Sequence, residues 1–261
     1  MTLTAENNLA DLLITIKSYE EAEGILRKVI QKQRLAYGPD SPETLVATAN
    51  LGNCLRRLGK YEAAANTLES AIQISVEHNG DEHYVTLQLL HNLAGTLRAM
   101  DHPDAERRSI EVIEARREVL GERHPSTLIS EGNLALFYYN KGRLQEAERL
   151  SRRTLESRRE TFGDGHRETV GAISILHKTL MDAGRPEEAE IVLIQSLTLV
   201  NEPEDHPAVK RIAGELVEAH GLSAGSGETG TVNAILEDWL GKTSLGPEDP
   251  VFQAVEAHLK D

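Results

Sequence analysis

The sequence has a single cysteine, Cys54, and only 4% of its 261 residues are aromatic. One cysteine cannot form a disulfide within the chain, and the scarcity of large rings fits a helical array better than a β-sandwich. No apolar run approaches the roughly 20 residues that a membrane-spanning helix needs, and no apolar signal segment stands at the N-terminus. We therefore expect a cytoplasmic protein without a membrane partner.

Basic residues are also scarce relative to acidic ones. The chain has 28 lysines and arginines against 42 aspartates and glutamates, which gives a formal net charge of −14. This excess disfavours a nucleic-acid backbone or an anionic membrane surface as the main partner. The excess of acidic residues is compatible with basic surfaces at individual places.

A short pattern recurs along most of the chain at a nearly fixed spacing. An Asn-Leu-Ala or Asn-Leu-Gly triplet begins four successive copies, separated by 42, 42 and 41 residues, at Asn8, Asn50, Asn92 and Asn133. An alanine follows in each of five copies, at Ala22, Ala64, Ala105, Ala147 and Ala189. Periods of this size indicate stacked supersecondary units that form a solenoid.

Each copy reads as two antiparallel helices, which we term the A and B helices. Apolar residues at three- and four-residue spacing predict an A helix over residues 2–17 and a B helix from Tyr19. The hairpin ends near Gly38, after which Ser41 is predicted to cap the next A helix with Pro42 at its first position. Later copies are predicted over residues 84–120, 126–162 and 167–200, with a half unit over 207–220.

Several of these positions resemble a known family. The residues Leu51, Gly52, Leu55, Gly59, Tyr61, Ala64, Leu68 and Ala71 are similar to the tetratricopeptide repeat (TPR) pattern. The segments 120–128 and 142–148 resemble its kinesin-light-chain-like subfamily. The resemblance covers roughly residues 5–215. It implies an all-α, right-handed superhelical solenoid of about five and a half TPR helical hairpins with a helical C-terminal tail, whose A helices line a concave groove for a peptide or partner helix.

The repeated asparagines are the first candidates for that groove. Equivalent positions on successive A helices form a row, and each side-chain amide supplies two donors and an acceptor that can hold a peptide main chain. Basic side chains near the row suit an acidic peptide. The predicted peptide-binding residues are Asn50, Asn53, Arg56, Arg57, His91, Asn92, Arg98, Asn133, Tyr139 and Lys178. The alternative is that the amides bond only to neighbouring helices or water and the arginines are solvated.

No residues suggest catalysis, a cofactor or a metal. His83, His124, His166 and His206 lie in the loops between repeats, where one helix-packing distance separates them, too far to share a metal ion. Cys54 has the character of a small buried apolar residue rather than a nucleophile. We therefore predict no catalytic residue and no metal site, and we do not expect an enzyme.

The C-terminal region differs in composition. We divide the chain into a TPR solenoid (1–220), a flexible linker (221–230) and a helical cap or tail (231–261), with Trp239 as the tail's anchor. In the first alternative the tail caps the last repeat. In the second, the segment 236–239 resembles the tryptophan-acidic peptides that dock into kinesin light chain grooves, and the tail is a ligand in cis.

The predicted function is a protein-interaction scaffold that binds a peptide or partner helix in the A-helix groove. The alternative is a regulatory or sensor subunit whose superhelix curvature responds to a bound peptide or small molecule, with self-inhibition by the Trp239 tail. The predicted partner is a protein or peptide, acidic if the basic residues contact it. The tail also offers a surface for oligomerisation.

Overall fold

The computed structural model describes residues 2–200, 206–222, 229–242 and 246–259. Within these ranges the chain forms thirteen α-helices and no β-strand, which confirms the all-α prediction. The helices are α1 (Leu3–Thr15), α2 (Tyr19–Tyr37), α3 (Pro42–Arg57), α4 (Tyr61–Asn79), α5 (Tyr84–Ala99), α6 (Ala105–Leu120), α7 (Pro125–Asn140), α8 (Leu144–Phe162), α9 (Arg167–Asp182), α10 (Pro186–Leu199), α11 (Pro207–Leu222), α12 (Thr229–Lys242) and α13 (Pro250–His258). None of them is long and apolar enough to cross a membrane.

Each A helix begins at a side-chain cap. The Ser41 hydroxyl accepts a hydrogen bond from the Thr44 N–H at 3.2 Å and Pro42 follows it, as predicted. In later repeats a histidine Nδ1 takes this place and accepts from the N–H two residues ahead, at His83, His124, His166 and His206. These loop histidines therefore begin helices. An Nδ1 acceptor requires that any ring proton of the neutral imidazole sits on Nε2.

The turn between the A and B helices places one residue in the left-handed backbone region. Glycine fills this position at Gly59 with φ 73°, whereas Lys17 and Asp101 adopt it with φ 65° and 54°. The one-residue deletion in the third repeat falls just after Asp101. It delays the start of α6 to Ala105 and leaves that helix with 16 residues, against 19 in α4.

Buried threonines tie the start of an A helix to the loop before it. Thr44, Thr86 and Thr169 donate their hydroxyl hydrogens to the carbonyl oxygens of Gly38, Gly80 and Gly163, at 2.9, 2.7 and 2.7 Å. These bonds satisfy a carbonyl that the preceding B helix leaves open at its end. The repeat boundary is thereby fixed by side chains as well as by apolar packing.

The described residues divide into two compact units, 1–122 and 123–261, a division that the sequence did not predict. Unit 1 contains α1 to α6, and its core includes Leu26, Leu55 and Leu68. Unit 2 contains α7 to α13, and its core includes Ile173 and Ile212. Within each unit, A helices of neighbouring repeats pack against one another, whereas the B helices stand further apart. The A helices therefore form the more closely packed layer of each unit.

The C-terminal helices belong to the core of unit 2. α12 and α13 pack on α11, and Trp239 is 3% exposed among the apolar side chains of this core. The Lys210 Nζ lies 2.6 Å from Asp249 Oδ2. Of the predicted linker, residues 223–228 lie outside the described residues, while 221–222 belong to α11 and 229–230 to α12. α12 therefore begins two residues earlier than predicted.

Gly52 marks a close approach of helices in unit 1. A Cβ atom at Gly52 would lie 2.5 Å from Cδ2 of Leu68, which is fully buried. We expect Gly52→Ala to lower the free energy of unfolding by about 1 to 3 kcal/mol, because Leu68 must leave its place in the core. Urea unfolding followed by circular dichroism measures the change.

A matched control for this substitution is Gly24→Ala in α2. A Cβ atom at Gly24 would meet nothing within 4 Å. We therefore expect Gly24→Ala to raise the free energy of unfolding by about 0.5 to 1 kcal/mol, because alanine lowers the backbone entropy of the unfolded chain. Equal stability of the two variants would show that the contact at Gly52 is not tight.

Candidate peptide-binding surface on the A helices

The predicted binding residues lie on A helices, in two groups. In unit 1, Asn50, Asn53, Arg56 and Arg57 are on α3, and His91, Asn92 and Arg98 are on α5. In unit 2, Asn133 and Tyr139 are on α7 and Lys178 is on α9. We term the unit 1 group the α3–α5 stripe. All of its members except Arg57 are partly exposed, and Arg57 is exposed.

Asn92 joins two A helices. Its Nδ2 donates to the carbonyl oxygen of Ala49 at 2.9 Å, which links α5 to α3. The side chains of Asn50 and Asn133 are partly exposed and make no hydrogen bond within the ranges that the structure describes. The asparagine row therefore has one member that stacks repeats, and the amides of Asn50 and Asn133 face no protein partner in those ranges.

Two arginines of the stripe converge over Gly95. A Cβ atom at Gly95 would lie 3.5 Å from Nη2 of Arg98 and 3.8 Å from Nε of Arg56. The Arg56 Nη2 donates to Oδ1 of Asn53 at 2.7 Å, and the Arg98 Nη1 donates to the Ser109 hydroxyl oxygen at 2.7 Å. Both partners are uncharged, so neither bond neutralises a guanidinium.

A third arginine and a histidine lie beside this pair. Arg116 from α6 is buried, its Nη1 lies 3.2 Å from Nδ1 of His91, and its Nη2 donates to the Leu87 carbonyl at 3.3 Å. Burial, followed by the charges of Arg116, Arg98 and Arg56, lowers the pKa of His91 to about 3. His91 is therefore neutral at physiological pH. Burial also lowers the pKa of Arg116 to about 10.

Acidic residues are nearly absent from these two A helices. α3 contains one carboxylate, Glu43 in its first turn, and α5 contains none. The B helices of unit 1 differ among themselves: α4 contains Glu62, Glu69 and Glu77 and no lysine or arginine, whereas α2 contains three glutamates and four basic residues. The α3–α5 stripe is therefore basic within a strongly acidic chain.

The unit 2 residues have different surroundings. Tyr139 on α7 is hydrogen-bonded to Asp182 on α9, so this bond links the two helices. The bond, followed by burial, raises the pKa of the Tyr139 hydroxyl. Lys178, four residues before Asp182, is exposed. This part of unit 2 thus presents one lysine and one tyrosine already engaged by a carboxylate.

Cys54 on α3 is withdrawn from solvent and keeps its proton at neutral pH. Its side chain is fully buried, and its Sγ lies 3.1 Å from the Tyr19 carbonyl oxygen. Burial is the main reason that the pKa of its thiol rises to about 11. No group of three or more histidine, cysteine, aspartate or glutamate side chains that could hold a metal ion occurs among the described residues.

Sequence analysis missed several residues of this surface. Arg116 belongs to a B helix, and Gly95 has no side chain, so neither follows from the A-helix pattern. One signal was available for Gly95, because it occupies the position of Asn53 one repeat later and so removes a side chain between two equivalent arginines. The hydrogen-bond partner of Tyr139 is Asp182, which lies 43 residues later in the chain and can be identified only from the fold.

The helical hairpins, their 41- and 42-residue periods and the glycine-marked turns define a helical-repeat protein of the kind that serves as an interaction scaffold. The chain matches the tetratricopeptide repeat family over residues 1–77 and 85–160. It belongs to that family. None of the curated protein sequences matches the chain.

Solved structures with the same fold include three informative examples. The putative kinesin light chain TPR-like repeats from Podosopora anserina are 23% identical, with a TM-score of 0.65 over 83% of this chain and 97% of that one. Rap protein complexed with competence and sporulation factor is 14% identical, with a TM-score of 0.66 over 100% and 75%. NprR in complex with its cognate peptide NprX is 16% identical, with a TM-score of 0.55 over 99% and 70%.

Proposed function

We propose that this protein is an interaction scaffold that binds a peptide or partner helix on its A helices, with the α3–α5 stripe as the main contact. One observation carries the proposal: partly exposed amides and arginines line two adjacent A helices that have almost no carboxylates of their own. Amide groups recognise a main chain without requiring a particular side chain. NprR in complex with its cognate peptide NprX, and Rap protein complexed with competence and sporulation factor, have the same fold and add support.

A peptide-display selection against the full chain tests the proposal. Enriched peptides are then measured against the double variant Asn50→Ala/Arg57→Ala, which removes one amide and one exposed guanidinium from α3. We expect binding to weaken about ten-fold or more, because polar groups that meet the peptide directly are lost. Circular dichroism confirms that the variants are folded.

The matched control is Asn66→Ala/Arg34→Ala, which removes the same chemical groups from the B helices α4 and α2. These two residues border a groove of about 660 Å³ that also includes Ile30, Leu45 and Ile74. Binding lost in this control and kept in the α3 variant would place the interface on the B helices and refute the proposal.

A further inference from the structure

Arg56 and Arg98 occupy equivalent positions in two adjacent repeats. The same position holds Ile14, Tyr139 and Met181 in the other repeats, so the paired cations are confined to α3 and α5 of unit 1. Each lies in the last turn of its helix and is partly exposed. The two guanidiniums therefore lie on adjacent A helices of unit 1 and are accessible to solvent.

The two guanidiniums share one small basin whose floor is Gly95. The distances of 3.5 and 3.8 Å from an added Cβ atom to Arg98 Nη2 and Arg56 Nε bring both groups over the same point of α5. A guanidinium has five N–H donors, and each of these arginines uses one for its neutral partner, Ser109 or Asn53. Donors therefore remain on both sides of the basin.

The basin holds positive charge without a protein anion. Neither Arg56 nor Arg98 is within ion-pair distance of a carboxylate in the described parts of the chain. Burial and the charge of Arg56 lower the pKa of Arg98 to about 10, and burial with the charge of Arg57 lowers the pKa of Arg56. Two like charges are held together in a partly desolvated place, where an anion between them would relieve the repulsion.

We propose that this basin is an oxyanion subsite, in which one carboxylate or phosphate group of the bound peptide bridges Arg56 and Arg98 above Gly95. Planar guanidinium forks match both oxyanions in a bidentate manner. The proposal rests on the proposed function for the identity of the ligand as a peptide. A single anionic group suits the site because the net charge of −14 repels a polyanion as a whole.

The subsite is tested without any peptide. Inorganic phosphate and, separately, acetate are titrated into the ¹⁵N-labelled full chain while the Nε–Hε signals of Arg56 and Arg98 are followed by NMR. We expect saturable shifts of both signals with a midpoint on the order of millimolar, which is typical of a small ion held by a few charged contacts. Because phosphate carries more charge than acetate, only phosphate binding more than about ten-fold tighter than acetate binding would favour a phosphorylated peptide, and a smaller difference or the reverse would favour a peptide with a carboxylate.

Two variants and one control accompany the titration. Arg98→Gln and Arg56→Gln each remove one of the two guanidiniums and should weaken anion binding ten-fold or more. The control, Arg34→Gln, removes one charge from the B helix α2 and should leave anion binding unchanged. Circular dichroism shows that each variant is folded, and two independent variants guard against loss of one through misfolding.

The outcomes separate the subsite from the proposed function. The subsite would be overturned if the shifts of both arginine signals were absent or did not saturate. It would also be overturned if the Arg56 signal of Arg98→Gln titrated with the same midpoint as in the wild type, even if display-selected peptides still bind to the A helices. Saturable anion binding together with failure of the peptide selection would leave the subsite standing and refute the peptide-scaffold proposal instead.

Discussion

Gly132→Ala is expected to lower the free energy of unfolding of unit 2 by about 3 kcal/mol. A Cβ atom at Gly132 would collide with the Arg158 guanidinium, whose Cζ would lie only 2.8 Å away. Arg158 is 3% exposed, its Nη1 donates to the Glu168 carbonyl at 2.5 Å, and its Nη2 donates to the Leu128 carbonyl at 2.8 Å. Displacing this group breaks the bonds between α8 and its two neighbouring A helices and leaves a buried charge without them.

A control and a rescue sharpen this prediction. Gly171→Ala in α9 meets nothing within 4 Å and should be neutral or slightly stabilising. The second repeat has Ala49 and Ser75 at the positions of Gly132 and Arg158. Gly132→Ala/Arg158→Ser should therefore be more stable than the sum of its single substitutions predicts. Additive losses in urea unfolding would show that the two positions do not share one space.

The second large effect concerns acid. The folded protein should lose about 3 kcal/mol of stability between pH 7 and pH 4 through His91 alone. Burial and the charges of Arg116, Arg98 and Arg56 keep the pKa of His91 at about 3 in the folded state. The unfolded chain protonates this histidine near its ordinary pKa of about 6.5, so below that pH the unfolded state binds more protons and is favoured.

Comparison with His91→Gln isolates this contribution. Carboxyl groups that lose their ion pairs in acid, such as Glu23 with Lys60 and Arg27, affect both proteins equally and cancel in the difference. The stability of wild type relative to His91→Gln should fall steadily from pH 6.5 to pH 4. His78→Gln, at an exposed histidine of unit 1, is the matched control. Hydrogen exchange of α5 amides measures the difference in stability between the wild type and His91→Gln. If that difference did not change with pH, His91 would accept a proton in the folded state as readily as in the unfolded state.

Much of the fold was predictable because its signals are local. The repeat period, the Ser41 and Pro42 helix start and the turn at Gly59 depend on residues within a few positions of one another. The third-repeat deletion was visible as a spacing of 41 residues. Local propensity and apolar period agree throughout the hairpins, which is why the helix bounds match so well.

The surface was less predictable because its contacts join distant residues. The sequence identifies Arg56 and Arg98 as equivalent, yet their convergence depends on the space above Gly95. The A-helix pattern left open whether the asparagines bond to neighbouring helices, and only the fold identifies the Ala49 carbonyl as the acceptor for Asn92. The burial of Trp239 also depends on how α12 packs on α11. Such features follow from packing between elements rather than from spacing along one helix.

Hydrogen exchange with a display-selected peptide is the most direct test of peptide binding on the A helices. Amide exchange is measured by mass spectrometry for the full chain, free and saturated with that peptide. We predict that protection on binding is largest in α3 and α5, with little change in α2 and α4. Protection confined to α2 and α4, or to α12 and α13, would contradict the account and assign the interface to the B helices or the C-terminal helices.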